Sequence, residues 1–233
     1  MIEVTKRYSD VKENFPRKFE VILLQGTGCK WPKCTFCDYY YDSSVDPFEI
    51  NRPAIDMVTG KYGELDIINS GSAMELDEQT IEYLVKKVKE CGIKILWLEA
   101  HWIYRNILNK FAEKFEGVDV KWRTGVETFN TTLRNKWCKG VPESVTPEEI
   151  AKYFQAVCLM VGVRGQTFYD VVSDIEIATR YFEHFRMSVF VLNSKKEMLD
   201  EELVERFKNE IYPKLKYNPK AETLLHNTDL GVG

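Results

Sequence analysis

Six short β-branched or apolar runs, at residues 19–24, 65–69, 93–99, 118–123, 156–161 and 187–192, recur along the chain, several with amphipathic stretches between them. Parallel strands need a crossover between them, so this alternation predicts an α/β fold with a parallel sheet and helices outside. Residues 80–91 illustrate the helical stretches. Ile81, Leu84, Val85 and Val88 fall at helical spacing, and Gly92 follows as a stop signal. Residues 106–115 and 167–185 repeat the pattern, and Thr146 with Pro147 marks a helix start before Glu148, Glu149 and Ile150. A complete eight-unit barrel typically needs about 250 residues. At 233 residues, the chain is read as a partial (βα)6 TIM-like barrel in a single domain. Residues 1–18 form an N-terminal extension, 19–193 the six units, and 194–233 a C-terminal helix and tail.

In parallel α/β folds, functional groups gather at the C-terminal strand ends and in the loops that follow. The first strand is followed by Cys29, Cys34 and Cys37, and the second by Asn69, Ser70, Gly71 and Ser72. Glu99, Ala100, His101 and Trp102 follow the third strand, and the segment from Arg123 to Glu127 the fourth. The fifth leads into Gly162, Val163, Arg164 and Gly165, and Asn193 ends the sixth. Polar and glycine residues at every end exceed what bland turns require.

The cysteines form a C-x4-C-x2-C run. Three clustered thiolates can hold three irons of a [4Fe–4S] cluster and leave the fourth open to a ligand that is not protein. A structural zinc site is the alternative, but it wants four ligands, and His101, His184 and His226 are all remote in sequence. Cys91, Cys138 and Cys158 stand singly and read as ordinary thiols. The charged N-terminus lacks an apolar leader core and no window is apolar and long enough to span a bilayer, so a cytoplasmic chain with reduced thiols and no membrane partner is expected. Net charge is −4, and acids alternate with lysines around residues 86–94, so composition does not favour a nucleic-acid partner.

With Phe36 immediately before the last cysteine, this loop resembles that of the radical S-adenosylmethionine superfamily, departing from its usual C-x3-C-x2-C by one residue. The resemblance implies a [4Fe–4S] cluster on Cys29, Cys34 and Cys37, with S-adenosylmethionine chelated at the open iron. It also implies an electron donor such as flavodoxin or ferredoxin, whose electron releases a 5′-deoxyadenosyl radical. Ser70, Gly71 and Ser72 resemble the Gly-Gly-Glu-type segment that binds the methionine amino group, although the family glutamate is out of register. The Met160–Thr167 segment, with Val163, is similar to the one that lies against the adenine. Glu99 or Glu127 would accept from the ribose hydroxyls, and Arg123 would neutralise the methionine carboxylate. Alternatively, one of the glutamates is a structural ion-pair partner of Arg123.

Lack of additional domains or cluster segments points to a small-molecule substrate, and Cys37-Asp38 resembles the deazapurine branch, which includes 7-carboxy-7-deazaguanine synthase. Together with Asn69–Ser72 and the Gly125–Asn130 segment, the loop resembles the queuine lyase family, which cleaves the cyclopentenediol from queuine to leave preQ1. That resemblance implies a free 7-deazaguanine base as substrate. The other readings are a different small-molecule or RNA-modifying member of the superfamily, and a non-catalytic zinc-binding module. Asp38 and Tyr39, in the acidic aromatic run 38–42, read as a packed cover or as a platform for a flat heterocycle. Asp38, Glu99, Glu127 and Asp229 are the candidate carboxylates for the base, and Trp102 and Asn193 are further candidates for the substrate pocket. His101 and His226 are the candidate acid–base groups. The polar, glycine-rich terminus 225–233 reads first as a frayed tail and otherwise as a strap across the barrel mouth.

Overall fold

The computed structural model describes residues 7–11, 15–195 and 198–233. One eight-stranded sheet runs in chain order, β1 (Tyr8–Val11), β2 (Phe19–Leu24), β3 (Glu64–Asn69), β4 (Ile95–Glu99), β5 (Asp119–Glu127), β6 (Ala156–Val161), β7 (His184–Val189) and β8 (Ala221–Leu224). Only β1 is antiparallel to its neighbour; β2 to β8 are all parallel. The six expected strands are β2 to β7, and β1 and β8 extend the sheet at its two edges. The crossovers carry α1 (Phe48–Asp56), α2 (Glu78–Glu90), α3 (Leu108–Ala112), α4 (Thr131–Lys136), α5 (Pro147–Ala151) and α6 (Phe168–Tyr181). α7 (Glu201–Arg206) and α8 (Tyr212–Leu215), joined by a π-helical turn, lead into β8.

The local signals act as their chemistry requires. Asp77 caps α2 by accepting from Thr80 N at 2.9 Å, and Ile81, Leu84 and Val88 are the apolar residues it buries. Thr146 caps α5 ahead of Pro147, and Thr167 and Asp170 form a reciprocal capping box on α6. Two boundaries differ from expectation. α6 ends at Tyr181 rather than near residue 185, and the last core strand begins at His184 rather than residue 187. His184 and Arg186 break the apolar look of this strand because they face the barrel interior.

Alternate strand residues divide into two environments. Leu65, Ile67, Leu96, Leu98, Val157, Leu159, Phe185 and Met187 pack under the helices in the main core, each contributing about 1.5–3 kcal/mol on full burial. The opposite face carries charge. Asp66 Oδ2 lies 2.7 Å from Arg123 Nη2 and 2.9 Å from Arg186 Nη2, and Arg186 also pairs with Glu222 at 2.9 Å. Asp66 and Arg186 are four strands apart, roughly 19 Å on a flat sheet at about 4.8 Å per strand. Their contact means that the sheet is curled and its inner face meets itself. The result is a partial barrel, filled by an ion network rather than by aliphatic layers.

The C-terminal tail is packed rather than frayed. Leu230 and Val232 join Leu224, Val11, Phe19 and Val21 in a second cluster, which draws the two edges of the sheet together. Gly231 has φ +76, and a Cβ there would come within 2.3 Å of Ser9 Oγ. Among the described residues no helix is long and apolar enough to cross a membrane.

Burial pushes the Asp66 and Glu222 carboxyls up, but the guanidiniums of Arg123, Arg186 and Arg17 outweigh it and hold both below the usual range, Glu222 at about 2. Such depressed groups contribute stability that is present above about pH 4.5 and is lost as pH falls toward 2. Melting temperature is therefore expected to drop steeply over that window. Replacement of Asp66 by Ala leaves two buried guanidiniums short of a carboxylate and is expected to cost about 3–5 kcal/mol in urea unfolding. An unchanged midpoint would contradict the network's role.

Candidate active site

The loop leaving β2 is tied to the ends of several other strands. Glu75 is the main fastening: its Oε1 accepts from Lys30 N at 2.7 Å and Tyr104 Oη at 3.0 Å, and its Oε2 from Ser72 N at 2.6 Å. Its backbone carbonyl also accepts from Thr27 N at 2.8 Å. A Cβ on Gly71 would lie 2.1 Å from Glu75 Oε2 and 3.1 Å from Gly28 O, so only glycine fits between the carboxylate and the loop. Ser70 Oγ donates to Asp42 O at 2.5 Å, and Ser72 Oγ accepts from His101 N at 3.0 Å. On the far side, Asn193 Nδ2 donates to Phe36 O at 3.0 Å, and Asp38 accepts from Ser194 N at 2.8 Å.

Cys29, Cys34 and Cys37 are free and half-buried within this frame. A tight turn brings Cys37 N to Cys34 O at 3.3 Å. Phe36 between them points inward, 6.0 Å from the Trp137 ring, in a buried cluster with Leu133, Val163 and Phe190 that Cys34 and Cys37 border. Val163 therefore sets the end of β6 against the loop. Burial raises all three thiols, Cys34 to about 11, while the Lys139 ammonium acts in the opposite direction. Binding iron would convert such thiols to thiolates with proton release. Among the described residues no three His, Cys, Asp or Glu groups converge as a mononuclear metal site would need. As a donor set, three cysteine thiols on one loop would fit the irons of a multi-iron cluster.

Glu127 and Lys139 complete the surroundings. Their 2.8 Å ion pair is almost fully enclosed, and Gly125 leaves the room for it, since a Cβ there would lie 2.4 Å from the carboxylate. Glu127 holds φ +65 at a bulge in the β5–β6 pairing, an unusual conformation for a side-chain-bearing residue. Lys139 and Glu75 were not among the expected site residues. The spacing from Ser72 to Glu75 is a legible capping-box pattern, whereas nothing local marks Lys139. Asn69, at the end of β3, has both amide atoms buried without a partner among the described residues.

Several expected site residues have other employment. Arg123 is fully buried, with its guanidinium held by Asp66 and by Glu99 at 3.0 Å, so it is a structural group and not a carboxylate receptor. Glu99 is its ion-pair partner and keeps about 24 % of its side chain exposed. Trp102 is 3 % exposed and packs edge-on against Tyr153 in the main core. His101 has both ring nitrogens engaged, Nε2 with Lys139 O at 2.7 Å and Nδ1 with Ile103 N at 3.3 Å. Burial, then Lys139, pushes it down to about 4, so it stays neutral and clasps the Lys139 segment rather than shuttling protons. Asp229 closes its own exposed turn by accepting from Leu225 N and His226 N. The turn lies beside the loop, with the Asn227 side chain near enough to the half-exposed Tyr39 hydroxyl to favour its ionised form, against the larger upward push of burial.

The curled sheet and a three-thiol loop fastened across its strand ends define a class: a radical S-adenosylmethionine enzyme. No family model and no curated protein matches the chain. Solved structures do, among them queuine lyase from Clostridium spiroforme bound to SAM and queuine, at 41% identity over 98% of this chain and 99% of that one, with a TM-score of 0.90. The chain belongs to the queuine lyase family.

Gly71→Ala should drive Glu75 off Lys30 N and loosen the loop without unfolding the barrel. We expect iron retention per chain after anaerobic loading to fall at least severalfold, with a stability loss of about 1–3 kcal/mol. Full iron content in that variant would contradict the fastening role of Glu75.

Proposed function

We propose that this chain cleaves queuine to preQ1, on the support of the three-thiol loop in a barrel 41% identical to that of a queuine lyase. Cys29, Cys34 and Cys37 would hold a [4Fe–4S] cluster, with three protein ligands leaving room for S-adenosylmethionine beside it. When bound, that pair supplies one-electron cleavage of the sulfonium and hydrogen abstraction from the substrate.

The protein's part is to bind, orient and keep water out. Ser70, Gly71, Ser72 and the unpartnered amide of Asn69 border the end of the loop where the methionine moiety would lie. Val163 and Phe36 offer an apolar wall beside the cysteines for the adenine. Glu127, held by Lys139, presents a carboxylate to the ribose hydroxyls. Glu99 is the carboxylate we assign to the guanine-like edge of the base. It stands at a strand end on the inner face, and Arg123 and Arg186 orient it from below, at 3.0 and 3.7 Å. Tyr39 and the turn carrying His226 and Asp229 lie at the rim and would cover the substrate. His101 contributes by positioning Lys139. The setting we propose is the reducing cytoplasm, which suits six free thiols.

Anaerobically loaded enzyme given S-adenosylmethionine, dithionite and queuine should form preQ1 with stoichiometric 5′-deoxyadenosine, read by mass. Intact queuine beside consumed cofactor would overturn the assignment. Glu99→Gln should lower kcat/KM for queuine by ~10–150-fold, the loss of about 1.5–3 kcal/mol in a charged hydrogen bond, while the cofactor is still cleaved without substrate. An unchanged kcat/KM would remove Glu99 from base recognition.

A further inference from the structure

The extra residue between the first two cysteines has a structural consequence. The four residues there are Lys30, Trp31, Pro32 and Lys33, and all but Trp31 are exposed. Trp31 lies flat on the protein: its ring stacks on His101 at 5.4 Å, and it occupies the space a Cβ on Gly140 would need, 2.4 Å away. The Lys33 ammonium sits 4.9 Å over the same ring. Trp31 Nε1 donates to Cys138 O at 2.7 Å, and that carbonyl lies 3.9 Å from Cys34 Sγ. One indole and one peptide group thus separate the outside of the molecule from a cluster ligand. Lys136, also exposed, adjoins Cys138 from the end of α4.

Charge sets this face apart. No acidic residue occurs between Gln25 and Cys37, whereas the chain as a whole carries net −4. The acids near it are engaged: Glu75 is buried and accepts from Lys30 N at 2.7 Å, and Glu143 accepts from Asn135 Nδ2 at 2.9 Å. One side of the loop is taken up by Phe36 and its buried neighbours, whereas Lys30, Pro32 and Lys33 leave the other side open to solvent.

We propose that the face formed by Trp31, Lys33 and Lys136 docks a small acidic electron-carrier protein, which reduces the cluster through the Cys34 side of the loop. The inference rests on the cluster assignment made under Proposed function. The reduced carrier, a low-potential flavin or iron–sulfur protein, gives up one electron and the cluster gains it; no bond forms or breaks and no proton moves. Redox encounters commonly bury less than about 1,200 Å², which a patch of this size can supply. Fixed cations around it would act mainly on encounter rate and on partner choice.

The test compares two reductants on iron-loaded wild type and on the double variant Lys33→Glu, Lys136→Glu. With a reduced acidic flavodoxin or ferredoxin, the rate of cluster bleaching should fall at least tenfold in the variant. In wild type it should fall severalfold between 50 and 500 mM salt. Carrier binding measured by calorimetry should weaken in parallel, while dithionite should bleach both proteins at the same rate. Carrier-driven rates and binding unaffected by either salt or charge reversal would overturn the docking face. So would tight binding of tRNA to these lysines without any effect on reduction. Wild type that holds no iron would instead bring down the cluster assignment itself, and the docking inference with it.

Discussion

Asp66 is the group on which the rest of the structure depends. A carboxylate buried in the middle of a sheet is unfavourable unless it is paired, and its nearest partners here come from β5 and β7, two and four strands away, with Arg17 at 3.5 Å. Satisfying it requires the sheet to roll until those strands face β3 across an interior. That curvature turns a row of strand ends into a ring. Arg186 extends the network to Glu222 on β8, and Arg17 pairs with Glu64 and Glu222 from the approach to β2. The charges that look like site residues in the sequence are in part what shapes the site.

The cluster loop depends on the ring for its own geometry. It has little regular structure, and it is held by Glu75 and Ser70 from the β3 side, by His101 and Cys138 through Trp31, and by Asn193 after β7. Most of these fastenings are hydrogen bonds to loop backbone, which order the chain while leaving the thiols available. The Glu127–Lys139 pair is different, because it sits among the cysteines and is maintained by a bulge and a strained backbone.

Legibility followed how local each signal was. The core strands, the cap at Thr146 and the three cysteines rest on neighbouring residues and could be read directly. β1 and β8 are four residues each, and Glu222 in β8 faces inward, so neither has an apolar signature. Arg123 looked like a ligand-binding cation because its partner Asp66 is 57 residues away. Trp102 follows a strand end but turns into a 3-10 helix that carries it out to the core around Tyr153. Lys139 is twelve residues beyond Glu127 in an irregular segment, and only the fold brings them together. The tail misled for a related reason. Its polar residues form the exposed turn, while Leu230 and Val232 close the seam.

The central claim is that three cysteines on one loop leave a cluster iron open for the cofactor. Low-temperature electron paramagnetic resonance of the dithionite-reduced, iron-loaded protein, before and after S-adenosylmethionine is added, tests it most directly. The account predicts a [4Fe–4S]⁺ signal whose g values shift on addition, with electron–nuclear coupling to the methionine amino nitrogen. A spectrum that is unchanged at saturating cofactor, or one from a cluster with four protein ligands, would contradict it.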